Sequence, residues 1–117
     1  MSTLLTITGT EPTPLLKDFA VFAAYLKENR VSLNPSKAFI NGRALYEING
    51  EMSAPRPDAT PRTPQTFYPL LHLFYHLSLA GKLFQKAAGG RRQILEPTDR
   101  LPLYEALKPA EKYFFLL

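Results

Sequence analysis

The chain has 117 residues, 45% of them hydrophobic and 21% charged, with a formal net charge of +4. That length fits one domain with a single core and is too short for two, and the composition argues against wholesale disorder. Cysteine is absent, which removes disulfides, thiolate nucleophiles and cysteine-based zinc sites together.

The N-terminus, Met1 to Thr8, lacks the basic start and the long apolar core of a signal peptide. With the lack of cysteine, this predicts a cytoplasmic protein of bacterial type. Thr13-Pro14 is a cap followed by a proline at the first helical position. From there Leu15, Leu16, Phe19, Phe22, Ala23 and Leu26 recur at steps of three and four residues, with Lys17, Lys27 and Glu28 opposite. The spacing predicts an amphipathic helix that ends near Arg30.

Asn34-Pro35 repeats the cap-then-proline start and predicts a short helix over Lys37–Ile40. Asn41-Gly42 breaks it, with Gly42 free to take a positive φ. A second short helix, Arg43–Asn49, ends at Gly50. Helix, turn and helix in that order outline a helix-turn-helix. Residues 53–66 contain Pro55, Pro57, Pro61 and Pro64, which forbids regular helix and predicts a proline-rich surface loop.

From Phe67 to Gly81 there is no Asp, Glu, Lys or Arg. A helix over about 65–80 would be apolar almost all round, apart from His72, His76 and Ser78. It is too short to span a bilayer, so it reads as a central buried helix with Leu70 and Phe74 at its apolar middle, and no membrane partner is expected. The next stretch, residues 82–92, carries Lys82, Lys86, Arg91 and Arg92 without an acid, four charges that match the whole net charge of +4. Lys82–Lys86 and Arg92–Glu96 read as two strands around an Ala87–Arg91 loop, with Gly89-Gly90 available for the turn. Pro97 and Asp99 stop the sheet. Short helices follow over Leu101–Leu107 and from Pro109, the last ending on the apolar run Tyr113–Leu117. That ending predicts either a C-terminal plug in the core or a chain that is part of a longer protein.

Together these elements predict a mostly α fold: a single helical domain over residues 1–117 with one two-stranded β-hairpin, winged-helix-like in outline.

Three stretches, Ser36–Asn49 (SKAFINGRALYEIN), Tyr68–Phe84 (YPLLHLFYHLSLAGKLF) and Leu107–Leu117 (LKPAEKYFFLL), carry a resemblance. They are similar to a helical module of uncharacterised bacterial proteins, some of them associated with plasmids or mobile elements. The shared pattern is mostly apolar spacing, so the resemblance implies a fold and no activity. It transfers no functional residue. Members are commonly longer than this chain, in line with a fragment.

Candidate chemistry is sparse. His72 and His76 stand four apart on one helix, a spacing at which two imidazoles can grip one zinc ion. The residue after the first histidine is Leu73, where a zincin has its glutamate, and no third ligand is near in sequence. The expectation is two solvated or hydrogen-bonded histidines and no metal. The five serines, Ser2, Ser32, Ser36, Ser53 and Ser78, form no nucleophile elbow. Gly81-Lys82 and Gly89-Gly90-Arg91 lack phosphate-loop spacing. No catalytic residue and no cofactor is therefore expected, and the chain reads as a non-enzyme.

Two binding readings remain. One is a protein-interaction module of a larger bacterial protein, partnered by another protein or a neighbouring domain, with Tyr68, Tyr104 and Tyr113–Leu117 as an adhesive patch. The alternative is nucleic-acid binding through the 82–92 hairpin, with Lys82, Lys86, Arg91 and Arg92 on phosphates and Arg56 and Arg62 as auxiliaries. Against DNA stands the lack of base-reading side chains on the helix before the hairpin.

Overall fold

The computed structural model of the chain describes residues 14–116. Among these residues there are five α-helices and a three-stranded antiparallel sheet. The fold is thus mixed α and β, where a mostly α domain with a two-stranded hairpin was expected.

Helix α1, Pro14–Glu28, forms as its spacing predicts and buries Leu16, Phe19, Phe22, Ala23 and Leu26. The predicted cap Thr13 lies outside the described residues. Asp18 is buried on this helix too, where periodicity alone would not place a carboxylate. Its Oδ1 accepts from the Ser53 amide at 2.9 Å and from the Ser53 hydroxyl at 2.7 Å. Both bonds tether the start of the proline-rich segment to α1, which is how a buried charge is tolerated. At the far end Asn29 donates from both its amide and its side chain to the Tyr25 carbonyl at 3.0 Å, closing the helix.

The next residues, Val31–Ser32, form strand β1. They pair with the second strand of the hairpin, Val31 opposite Leu95 and Ser32 opposite Ile94. This is the strand that sequence reasoning missed. Two residues are too few for a period-two signal, and their pairing partner lies about sixty positions away in sequence.

No helix forms at Lys37–Ile40, so the helix-turn-helix outline is not made. Asn34 does accept from the Lys37 amide at 2.9 Å, as a cap should. After that single turn Ala38 takes a φ of +58°, and Leu33 and Ile40 close into a bridge. A helix of one turn gains too little to offset its nucleation cost. Burial of Ile40 and ring contacts of Phe39 with Tyr75 and His72 at 5.4 and 5.3 Å outweigh it.

Helix α2, Gly42–Gly50, is capped by Asn41, whose Oδ1 accepts from the Ala44 amide at 2.9 Å. The Asn41 side-chain amide also donates to the Ser32 carbonyl at 2.8 Å, so one residue starts α2 and ties it to β1. Gly42 serves close approach rather than a positive φ. A Cβ there would stand 2.3 Å from the Pro61 carbonyl oxygen, so the proline-rich strap lies directly on the first turn. Asn49 holds the strap again, donating to the Arg56 carbonyl at 3.1 Å and accepting from the Arg56 amide at 2.9 Å.

After a 3-10 turn at Gln65–Phe67, helix α3 spans Pro69–Ala80. It is central but not enclosed. Leu71, Phe74, Tyr75 and Ser78 form its buried stripe, at the i, i+3, i+4, i+7 positions of one helix face. Pro69, Leu73, His76 and Ala80 face outward. Leu70, expected at the middle of the buried face, is half-buried, and Leu73 is 47% exposed. Ser78, expected in the polar gap, is fully buried and satisfies its hydroxyl on the Tyr75 carbonyl at 2.8 Å. The ring of Phe74 packs on Phe19 at 5.1 Å and Phe22 at 5.6 Å, and that aromatic group joins α1 to α3.

Strands β2, Phe84–Gly89, and β3, Arg92–Pro97, form the expected hairpin. The sheet order is β1-β3-β2, so β3 is the central strand. Gly89 pairs with Arg92, which leaves a two-residue turn of Gly90 and Arg91, shorter than the expected 87–91 loop. Gly90 takes the positive φ, +83°, that such tight hairpins require. Helices α4, Arg100–Glu105, and α5, Pro109–Leu116, complete the chain. Among the described residues no helix is long and apolar enough to cross a membrane.

Candidate functional site

The cationic residues singled out from the sequence lie on three segments: the hairpin, the α3–β2 connection and the strap. Arg91 and Arg92 sit exposed at the hairpin turn. Lys86 lies on β2 opposite Leu95 and leans toward α3, its Nζ 6.0 Å from the Tyr75 ring centre. Lys82 is not on the hairpin. It occupies the α3–β2 connection with a φ of +61°, at the end of β2 remote from the tip, roughly 20 Å away for a strand of this length. Arg56 and Arg62 belong to the strap. The Arg56 guanidinium stacks over the Phe67 ring at 4.6 Å, and the Arg62 amide donates to the Thr60 hydroxyl at 3.1 Å. The outward stripe of α3, Pro69, Leu73, His76 and Ala80, offers one polar side chain, so the helix before the hairpin has no base-reading face.

The two histidines are neighbours, ring centres 4.6 Å apart and edge to face. Buried Gln65 determines the state of His72. Its Oε1 accepts from the Ile40 amide at 2.9 Å, which leaves its Nε2 as the group 2.9 Å from His72 Nδ1. An amide nitrogen can only donate, so Nδ1 accepts and the ring proton sits on Nε2. Metal ligation through Nε2 would move that proton to Nδ1, where the Gln65 N–H already points. His76 is held below the usual histidine range by desolvation, the adjacent His72 and Lys86. Among the described residues no group of three or more His, Cys, Asp or Glu could hold a metal ion.

The two separate tyrosines of the expected aromatic patch are not surface groups. Tyr68 and Tyr104 are buried. Tyr104 packs on Phe19 at 5.5 Å and on Phe115 at 5.3 Å, and burial raises its pKa to about 12. The Tyr68 hydroxyl is buried beside Thr63, without a hydrogen-bond partner among the described residues, and burial raises its pKa as well. The side chains of Tyr113, Phe114 and Leu116, and all of Leu117, lie outside the described residues.

One concave feature lies where sequence reasoning did not single out a site. A cleft of about 830 Å³ runs between α1 and α2, edged by the strap at Arg56, Pro57 and Ala59. Tyr25 and Tyr46 supply its aromatic surface, and Glu28, Glu47 and Glu51 its charge. The Tyr25 hydroxyl donates to Glu47 Oε1 at 2.5 Å. Burial, then this hydrogen bond and the Glu47 charge, push the phenol up to about 12, against a small opposing effect of Arg43. Arg43 stands 3.9 Å from Glu47 one helical turn away. Glu28 and Glu51 are exposed and, among the described residues, take part in no ion pair. Arg56, the one cation on the cleft wall among the described residues, directs its guanidinium to Phe67 instead. The cleft is thus net acidic with two tyrosine rings, a surface suited to guanidinium or ammonium groups. Glu47 and Glu51 share a helix face in sequence, but the opposing wall comes from α1, and no local pattern reports that.

No family model, curated protein or solved structure matches the chain, and the functional reading rests on its own residues.

Proposed function

We propose that this chain is a non-catalytic binding module, a protein-interaction unit of a larger bacterial protein, and that its acceptor surface is the α1–α2 cleft. The observation that carries the reading is the acidic, tyrosine-lined cleft of about 830 Å³, within the roughly 300–1,000 Å³ of ligand-binding concavities. Its chemistry favours a basic segment of a partner protein or neighbouring domain: carboxylates for the charge, ring faces for the flat guanidinium. An arginine-containing peptide, titrated against the labelled protein by NMR, tests this. The expected result is perturbation of the Tyr25 and Tyr46 ring signals, abolished in Glu28→Gln/Glu51→Gln. Equal binding by that variant, or no binding by the native chain, overturns the reading.

Nucleic-acid binding is the second reading, supported by Lys86, Arg91 and Arg92, exposed and without ion pairs among the described residues. In this reading the basic hairpin acts as a wing that contacts phosphates. Under this reading duplex DNA binds, weakens steeply as salt rises, and is lost in Arg91→Glu/Arg92→Glu. Absence of binding at low salt removes it.

A further inference from the structure

We infer that the cleft of one molecule receives the β2–β3 hairpin tip of a second copy of this chain, joining copies head to tail. The inference rests on the binding reading above and names its occupant.

The chain carries two surfaces of opposite sign, each with exposed charges that take part in no ion pair among the described residues. At the hairpin tip Arg91, in the two-residue turn, and Arg92, the first residue of β3, are exposed and adjacent. In the cleft Glu28 and Glu51 are exposed. The ion pairs formed among the described residues are Lys27 with Glu105 and Arg43 with Glu47, so all four of these groups are left out. Arg56, the one cationic side chain on the cleft wall among the described residues, is engaged on Phe67. Tyr25 and Tyr46, the latter 42% exposed, give a guanidinium flat faces as well as carboxylates. A hairpin turn is narrow enough to present both arginines to a groove of about 830 Å³.

The two surfaces cannot meet within one molecule. Glu28 and Asn29 edge the cleft at the end of α1, just before β1 begins. Along β1 the register runs from Val31 opposite Leu95 to Ser32 opposite Ile94, and the Leu33 amide bonds the Gln93 carbonyl at 2.8 Å. Moving away from α1 therefore moves toward the hairpin turn. The turn and this end of the cleft lie beyond opposite ends of the β1–β3 ladder. Finger and socket at opposite ends make a heterologous contact, which repeats into rings or open chains rather than closing as a two-fold dimer. A contact of this size, mostly between charges, is weak and sensitive to salt.

Sedimentation equilibrium of the full chain over a wide concentration range tests it. The weight-average mass should rise with concentration at about 50 mM salt and return to the monomer value at about 500 mM, where the screening length is a few ångströms. Arg91→Gln/Arg92→Gln and Glu28→Gln/Glu51→Gln should each remain monomeric. Mixed in equal amounts they should associate again but stop at two molecules, because the first keeps only its cleft and the second only its hairpin. A native chain that stays monomeric throughout overturns the inference, as does association that neither variant weakens, or a mixture that stays monomeric. If the native chain is monomeric yet the arginine peptide still binds the cleft, the binding reading stands and self-docking falls. If neither occurs, both fall.

Discussion

Gln65 donates to His72 Nδ1 while accepting from the Ile40 amide, both at 2.9 Å, so one buried side chain joins the 3-10 turn, α3 and the loop before α2. The arrangement requires the Nε2–H tautomer of His72. Nitrogen-detected NMR at neutral pH should find that tautomer, and a dominant Nδ1–H form would contradict the geometry. Gln65→Leu leaves the Ile40 amide buried without an acceptor and should cost about 1–3 kcal/mol in chemical denaturation. Stoichiometric zinc should leave the histidine signals of the native protein in place.

Burial on α3 is sharply one-sided, and three substitutions should report it. Phe74→Ala removes the ring that joins α1 to α3 and should cost about 3–5 kcal/mol. Leu73→Ala, on the outward stripe, should change stability by less than about 0.5 kcal/mol. Leu70→Ala should fall between them. Equal losses at Leu73 and Phe74 would mean that the helix is enclosed on all sides after all.

The strap depends on the absence of a side chain at Gly42. Gly42→Ala places a methyl against the Pro61 carbonyl, with 2.3 Å between them, and should cost about 1–3 kcal/mol through displaced backbone. It should also quicken proteolysis between Ala54 and Thr63. Gly50→Ala, where nothing lies within 4 Å, is the control. It should be neutral or stabilising by a few tenths of a kcal/mol, or about 1 at most.

The Tyr25–Glu47 bond predicts a response to alkali. With its folded pKa near 12 and a reference value of 10.0, Tyr25 contributes stability that is complete below pH 10. This contribution is lost as pH rises through 12, because the unfolded chain gives up the proton first. Glu47→Gln should move the phenol back toward its ordinary value, read by ultraviolet difference titration. Tyr104, raised by burial alone, should not move. An unchanged Tyr25 would break the assignment.

Much of this chain reports itself locally. The apolar rhythm from Leu15 to Leu26, the Asn41 cap and the Gly90 turn are each decided by a few adjacent residues, because helix periodicity, capping and a positive φ are short-range chemistry. Other features depended on residues far apart in sequence. A helix apolar on nearly every side cannot announce which stripe α1 will cover, so the places of Leu70, Leu73 and Ser78 followed from packing on Phe19 and Phe22. Val31–Ser32 became a strand only because Ile94 and Leu95 offered it an edge. Lys37–Ile40 lost its helix because Phe39 and Ile40 had better partners in α3 and Gln65. The acidic cleft exists for the same reason: Glu28 and Tyr25 face Glu47 and Tyr46 only once two separate helices are side by side. Local chemistry chose the elements, and burial, which acts between distant residues, chose their faces and formed the site.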